Sequence, residues 1–107
     1  MNLHINTTKG EYSSIQLSGE IDVHTAPKLK KELLDTIDET DNMLIVDMDS
    51  VSYMDSSGLG VFISALKACK EKECQLKLIK ANERIYRLFQ VTGIDTLISV
   101  EMYREER

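Results

Sequence analysis

The sequence predicts an α/β fold: a mostly parallel sheet with an antiparallel N-terminal edge strand and helices, in the order β-β-α-β-α-β-α-β. Three observations carry the prediction. Leu3, Ile5 and Thr7 alternate with His4, Asn6 and Thr8, and after a turn at Lys9-Gly10-Glu11 the residues Ile15, Leu17, Ile21 and Val23 continue at period two, as a hairpin requires. Three later segments repeat apolar residues at spacings of three and four. Short apolar runs separate those segments, and strands alternating with helices give right-handed crossovers and parallel pairing.

Each element has a local reason. Thr25 is placed to cap a helix whose early turn tolerates Pro27, because the first N–H groups of a helix have no intrahelical partner. Ala26, Leu29, Leu33 and Ile37 form its apolar stripe, with Lys28, Lys30, Lys31, Glu32 and Asp35 opposite, and Glu39 to Asn42 end it. Met43 to Met48 is an almost continuous apolar strand broken by Asp47. A polar turn, Val51 to Val61, then leads into a helix that begins near Ser57 and runs to about Glu73, with Leu59, Phe62, Ile63, Leu66 and Cys69 inward. Leu76, Leu78 and Ile79 make a short strand. Ile85, Leu88, Phe89 and Thr92 make a third helix stopped by Gly93, and Leu97 to Val100 a last strand. The charged tail Glu101 to Arg107 reads as a frayed turn or helix.

Bulk properties narrow the function classes. A chain of 107 residues is expected to be one domain, residues 1–107, and a domain of this size buries roughly 65% of its extended surface. With 42% apolar residues, 29% charged residues, no bilayer-length apolar tract and no signal-peptide pattern, the expected location is the cytosol, with no membrane contact. A formal charge of −5 and scattered basic residues argue against direct nucleic-acid binding. Cys69 and Cys74 lack the further ligands of a zinc site and read as ordinary reduced thiols. His4 falls on the polar side of its strand.

In this architecture the strand-to-helix loops share one rim. Two loops there are chemically unusual, Glu20-Ile-Asp22-Val-His24 and Tyr53-Met-Asp55-Ser56-Ser57, so Asp22 and Ser56 are expected to be neighbours. A serine hydrolase would need a Gly-x-Ser-x-Gly frame and a triad, but the frame is absent and His24 is the sole conceivable base. Nucleotide binding by Ser-Ser-Gly-Leu-Gly lacks the Walker lysine and the dinucleotide glycine spacing. Asp22, Asp47, Asp49 and Asp55 could suggest Mg²⁺, yet no lysine lies between Lys31 and Lys67 to complete a phosphoacceptor-carboxylate site, and caps and turns explain them more simply. No metal, cofactor or catalytic residue is therefore expected.

Two readings of the turn remain open on the residues: Asp55-Ser56-Ser57 is a helix cap, or a hydroxyl there is an acceptor for another protein's chemistry. Gly58 and Gly60 each cost about 1 kcal/mol relative to Ala inside a helix, a departure from propensity that tends to mark functional positions. Chemistry alone does not choose between Ser56 and Ser57.

Gly19-Glu-Ile-Asp22 after the hairpin, Asp55-Ser-Ser-Gly-Leu-Gly60 between strand and helix, and Arg87-Leu-Phe-Gln-Val-Thr-Gly93 closing the third helix resemble a STAS domain over essentially the whole chain. The sequence is most similar to the bacterial anti-sigma factor antagonists of the RsbV type, with their SpoIIAA-like fold. That resemblance implies partner switching in transcription regulation under stress. The unphosphorylated antagonist binds an anti-sigma factor that is also a serine kinase and so frees the sigma factor. Phosphorylation releases the antagonist, and a metal-dependent serine phosphatase restores it. By position the phosphoacceptor is Ser56, and Asp22, Asp55, Ser57, Gly58 and Leu59 belong to the partner-binding surface. The alternative is a STAS scaffold or docking subunit of a stress-signalling or lipid-transport assembly.

Overall fold

A computed structural model describes residues 2–10 and 12–102. Its elements are β1 (Leu3–Thr8), β2 (Tyr12–Ile21), α1 (Ala26–Asp38), β3 (Met43–Met54), α2 (Ser56–Lys72), β4 (Gln75–Ala81), α3 (Glu83–Thr92), a short 3₁₀ turn (Ile94–Thr96) and β5 (Ser99–Met102). They form one five-stranded sheet in the order β1-β2-β3-β4-β5, with β1 antiparallel to β2 and the remaining pairs parallel. The predicted fold class and element order hold. Glu11 of the first turn and residues 103–107 of the tail lie outside the described residues.

Strands laid down in sequence order and joined by crossovers of one hand put their helices on one face. Burial shows this directly. Ile15 and Leu17 of β2, Leu44, Val46 and Met48 of β3, and Leu78 of β4 are buried, while His4, Asn6, Gln16 and Ser18 look out from the opposite face. Above the covered face α1 and α2 pack together, and Phe62 of α2 meets Phe89 of α3 with ring centroids 5.9 Å apart at a tilted angle. Because the strand order never reverses, the sheet has no switch-point crevice of the kind that holds ligands in doubly wound folds.

Several boundaries move. β2 stops at Ile21, so Val23, expected to continue its apolar face, is instead 66% exposed beyond the strand end. β3 runs six residues past Met48 and takes in Val51 to Met54, the first part of the predicted turn. Parallel pairing with β2 sustains that extension as far as Ile21 and Met54, across two register shifts at each of which β3 carries an extra residue. Gly19 sits near the second shift with φ +119°, and a side chain there would strike the Asn2 carbonyl. Leu97, expected in the last strand, belongs to the bend before it and is 57% exposed.

At the far ends of the helices, Lys72 of α2 donates through Nζ to the carbonyls of Ile37 (3.0 Å) and Asp38, the last turn of α1. A cation is thus held where the α1 dipole is negative. The end of α2 is closed by Glu73 in the left-handed region, φ 64°.

Candidate functional site

Both loops singled out in the sequence leave the sheet at one rim. Ile21 and Met54 are partners at the ends of β2 and β3, and the Asp55 N–H donates to the Ile21 carbonyl at 3.2 Å. The residue that follows each strand is an aspartate, Asp22 after β2 and Asp55 after β3, and each organises the chain that leads into a helix.

Thr25 does not play the side-chain capping role the sequence suggested. The Thr25 side chain makes no cap bond to its helix. Its hydroxyl donates to the Glu20 carbonyl (2.8 Å) and accepts from the Asp22 N–H (2.9 Å). Asp22 Oδ1 instead accepts from the N–H groups of His24 (2.8 Å) and Thr25 (3.0 Å). Such an Asx turn satisfies two backbone donors with one carboxylate oxygen. Asp22 is only 7% exposed, so its carboxylate shapes the loop that displays Val23 and His24. Burial pushes the Asp22 carboxyl up, but the backbone N–H groups of Thr25 and His24, the His24 charge and the Thr25 hydroxyl outweigh it and hold the carboxyl below its usual range.

Asp55 caps α2. Its backbone is extended, its Oδ1 accepts from the Ser57 N–H at 2.9 Å, and its carbonyl accepts from the Gly58 N–H at 3.0 Å. Ser56 is consequently the first helical residue and is exposed, while Ser57 is half-buried. The two hydroxyls that chemistry left equivalent stand in different surroundings.

Gly58 and Gly60, grouped in the sequence as departures from helix propensity that mark functional positions, have separate roles. A Cβ on Gly58 would lie 2.5 Å from Met54 Cγ, 2.6 Å from Met54 Sδ and 3.0 Å from Ile21 Cγ2. Gly58 therefore lets α2 settle on the ends of β2 and β3. Leu59 is likewise turned inward, 7% exposed within the core. Both residues, expected on the partner-binding surface, are instead buried where α2 seats on the sheet. A Cβ on Gly60 would meet nothing within 4 Å. Gly60 is exposed beside Ser57 in a groove of about 560 Å³ between the starts of α1 and α2, together with Val23, Ala26, Pro27 and Val61. Sequence reasoning missed this groove. Its signal was Val23, an apolar residue immediately after the Asx-turn aspartate.

The other aspartates take up structural places. Asp47 Oδ1 accepts from the Asp49 N–H at 2.9 Å, and Oδ2 stands 4.0 Å from Lys80 Nζ. Among the described residues there is no cluster of three or more metal-ligating side chains. Asn82, also missed, caps α3 through Oδ1 (2.9 Å to the Ile85 N–H) and ties it to β3 by an Nδ2 bond to the Val51 carbonyl at 3.2 Å. Asn before a charged first turn is a readable cap signal.

The fold and rim together define a class: a small α/β module with helices on one face of a sequentially ordered sheet and a serine-bearing, Asp-capped helix start at the strand ends. Comparison with known proteins gives the family. The STAS domain model matches residues 5–107, and the chain belongs to the STAS family. It is 38% identical over 101 residues to the anti-sigma-B factor antagonist of Staphylococcus aureus (strain NCTC 8325 / PS 47) and 40% identical over 101 residues to that of Staphylococcus epidermidis, in each case covering 94% of both chains. Those relatives are named as regulators and not as enzymes. The structure of the anti-sigma factor antagonist SpoIIAA in its unphosphorylated form superposes with a TM-score of 0.77 at 20% identity, covering 92% of this chain and 87% of that one. Bacillus SpoIIAA in the phosphorylated form superposes with a TM-score of 0.71 at 20% identity, covering 92% of this chain and 90% of that one.

Proposed function

We propose that the protein is an anti-sigma factor antagonist whose rim binds an anti-sigma factor with serine kinase activity, and that phosphorylation of Ser56 by that kinase ends the binding. The observation that carries this reading is the exposed Ser56 hydroxyl at the first position of an Asp-capped helix, next to an open groove. The relatives named anti-sigma-B factor antagonists support the regulatory role.

The chemistry of the switch follows from charge. In the unphosphorylated state the partner covers Ser56, Val23 and Gly60, and the groove takes apolar side chains. Transfer of the ATP γ-phosphoryl group to Ser56 Oγ adds roughly −1.5 to −2 charge at pH 7. The start of α2 tolerates that charge, because a helix N-terminus favours anions by ~0.3–1 kcal/mol. The docked partner does not, since a phosphate without a counter-ion in an interface costs several kcal/mol, and each ~1.4 kcal/mol is tenfold in affinity. Asp22 and Asp55, carboxylates of the same rim, add like-charge repulsion. Hydrolysis of the phosphoserine by a metal-dependent serine phosphatase returns the binding form. The protein acts in this cycle as binder and substrate, needs no cofactor of its own, and makes no direct contact with nucleic acid. No helix of the described residues is long and apolar enough to cross a membrane, and the cytosol, where sigma factors act, is the proposed location.

The test is incubation with the cognate kinase and ATP, followed by intact-mass and peptide mass spectrometry. One phosphate on Ser56 is expected, with none on Ser56→Ala. Phosphate on Ser57 in the wild-type protein would overturn the choice of acceptor.

A further inference from the structure

Cys69 and Cys74, which the switch does not use, are brought together at the end of α2. Glu73 in the left-handed region turns the chain, the Glu73 N–H donates to the Lys70 carbonyl (3.2 Å), and the Cys74 N–H donates to the Cys69 carbonyl (2.9 Å). This is the paired 6→1 and 5→2 bonding of a Schellman cap, whose first and last positions normally make an apolar contact. Here both positions are cysteines, both are buried, and the Cys74 thiol is close enough to perturb that of Cys69.

The backbone bond limits the separation of the pair. A Cα lies about 2.4 Å from its own carbonyl oxygen and about 1.46 Å from its own nitrogen. With the 2.9 Å bond between them, the two Cα atoms can be no further apart than about 6.8 Å, the upper end of the disulfide range of about 4.4–6.8 Å. Both residues lie in the same buried cluster, and the backbone holds their Cα atoms within the span a disulfide bridges.

We infer that Cys69 and Cys74 form a reversible oxidation site that takes two electrons' worth of peroxide and closes to an intramolecular disulfide, locking the end of α2 against the start of β4. The order of attack follows from surroundings. Cys69 is 1% exposed, and burial, with the Cys74 thiol beside it, pushes its thiol up to about 12, whereas Cys74, 8% exposed, is the less buried of the two and the one assigned to meet the oxidant first. Deprotonated Cys74 Sγ attacks one oxygen of hydrogen peroxide. An S–O bond forms, the O–O bond breaks, and hydroxide leaves and takes up the thiol's proton as water. The Cys69 sulfur then attacks Cys74 Sγ of the sulfenic acid. The S–S bond forms, the S–O bond breaks, and the Cys69 proton leaves with hydroxide as a second water. Two thiols and one peroxide become one disulfide and two waters, with both sulfurs oxidised and the peroxide reduced.

The experiment exposes the full chain to hydrogen peroxide, quenches with catalase, denatures and alkylates. The expected result is loss of both alkylatable thiols together, an intact mass lower by two hydrogens, and recovery of both thiols with dithiothreitol. Trypsin cuts after Lys70 and Lys72, between the cysteines, so the disulfide appears as a linked pair of peptides from one chain. Cys69→Ser should stop at a Cys74 sulfenic acid trapped by dimedone, and in Cys74→Ser the oxidation of Cys69 should slow at least ~10-fold. Oxygen adducts on Cys74 with Cys69 still free in the wild type, a disulfide between two chains, or no reaction at peroxide levels that oxidise the urea-unfolded protein would each overturn the inference. So would unchanged Cys69 oxidation in Cys74→Ser.

Discussion

Replacing the two glycines of α2 by alanine, one at a time, should move stability in opposite directions. In a helix interior, alanine is favoured over glycine by about 0.5–1 kcal/mol. At Gly60 nothing stands within 4 Å of the new Cβ, so Gly60→Ala should keep most of that gain. At Gly58 the Cβ falls 2.5–2.6 Å from the buried Met54 side chain and 3.0 Å from Ile21 Cγ2, well inside contact distance. Met54 must leave its place under the first turn of α2, and overpacking of this kind costs typically ~1–3 kcal/mol. Set against the propensity gain, the net loss is roughly 1 kcal/mol, and the two variants should differ by about 2 kcal/mol. For a domain of this size, ~1 kcal/mol corresponds to a Tm change of about 4 °C or more. Urea unfolding at constant m-value, with thermal melts in parallel, reads the difference. Gly58→Ala as stable as the wild type, or Gly60→Ala less stable than Gly58→Ala, would refute the assignment of Gly58 to packing and Gly60 to surface. The same pair separates folding from docking, because Gly60→Ala adds a methyl to the groove floor and should weaken the anti-sigma factor complex while stabilising the free protein.

Asp55→Ala removes the α2 cap and should cost about 1 kcal/mol in urea unfolding, with Asp55→Ser recovering most of it. Lys72→Met loses the bonds to the Ile37 and Asp38 carbonyls, and a loss of about 1 kcal/mol by thermal melt is expected for a charge-assisted contact that is partly exposed. Asp22 has a pH signature. Its folded carboxyl lies below the ordinary 3.8, so its contribution to stability is present above that value and lost as pH falls through the lower folded value. Denaturant midpoints from pH 7 to pH 3 should therefore drop less steeply below about pH 4 in Asp22→Asn than in the wild type. An identical acid limb in the two proteins would show that the Asx turn does not depend on the charged form.

Much of the molecule could be read from the residues because its signals are local. The stripe of Ala26, Leu29, Leu33 and Ile37 is buried as its spacing demands, and Gly93 stops α3 with φ 78°. What escaped the sequence depends on pairing across the sheet. Asp49, Ser50, Ser52 and Tyr53 carry polar side chains that look like a turn, and only the ladder to β2 makes this stretch strand. Thr25 has the chemistry of a cap, yet its hydroxyl is taken up by the Glu20 carbonyl and the Asp22 N–H, while Asp22 Oδ1 holds the His24 and Thr25 N–H groups of the loop before the helix. The candidate site was legible as a place and less so as a surface. Asp22, Asp55, Ser56 and Ser57 share the rim, but the inward direction of Gly58 and Leu59, and the groove opened by Val23 and Gly60, follow from how α2 seats on β2 and β3.

The central claim concerns Ser56, and it is tested most directly by calorimetric titration of the cognate anti-sigma factor with the wild-type protein before and after stoichiometric phosphorylation. Far-ultraviolet circular dichroism confirms that both forms are folded. The account predicts tight binding by the unphosphorylated protein and an affinity at least ~100-fold lower for the Ser56-phosphorylated form, equivalent to about 2.7 kcal/mol or more. Equal affinity of the two folded forms would contradict it.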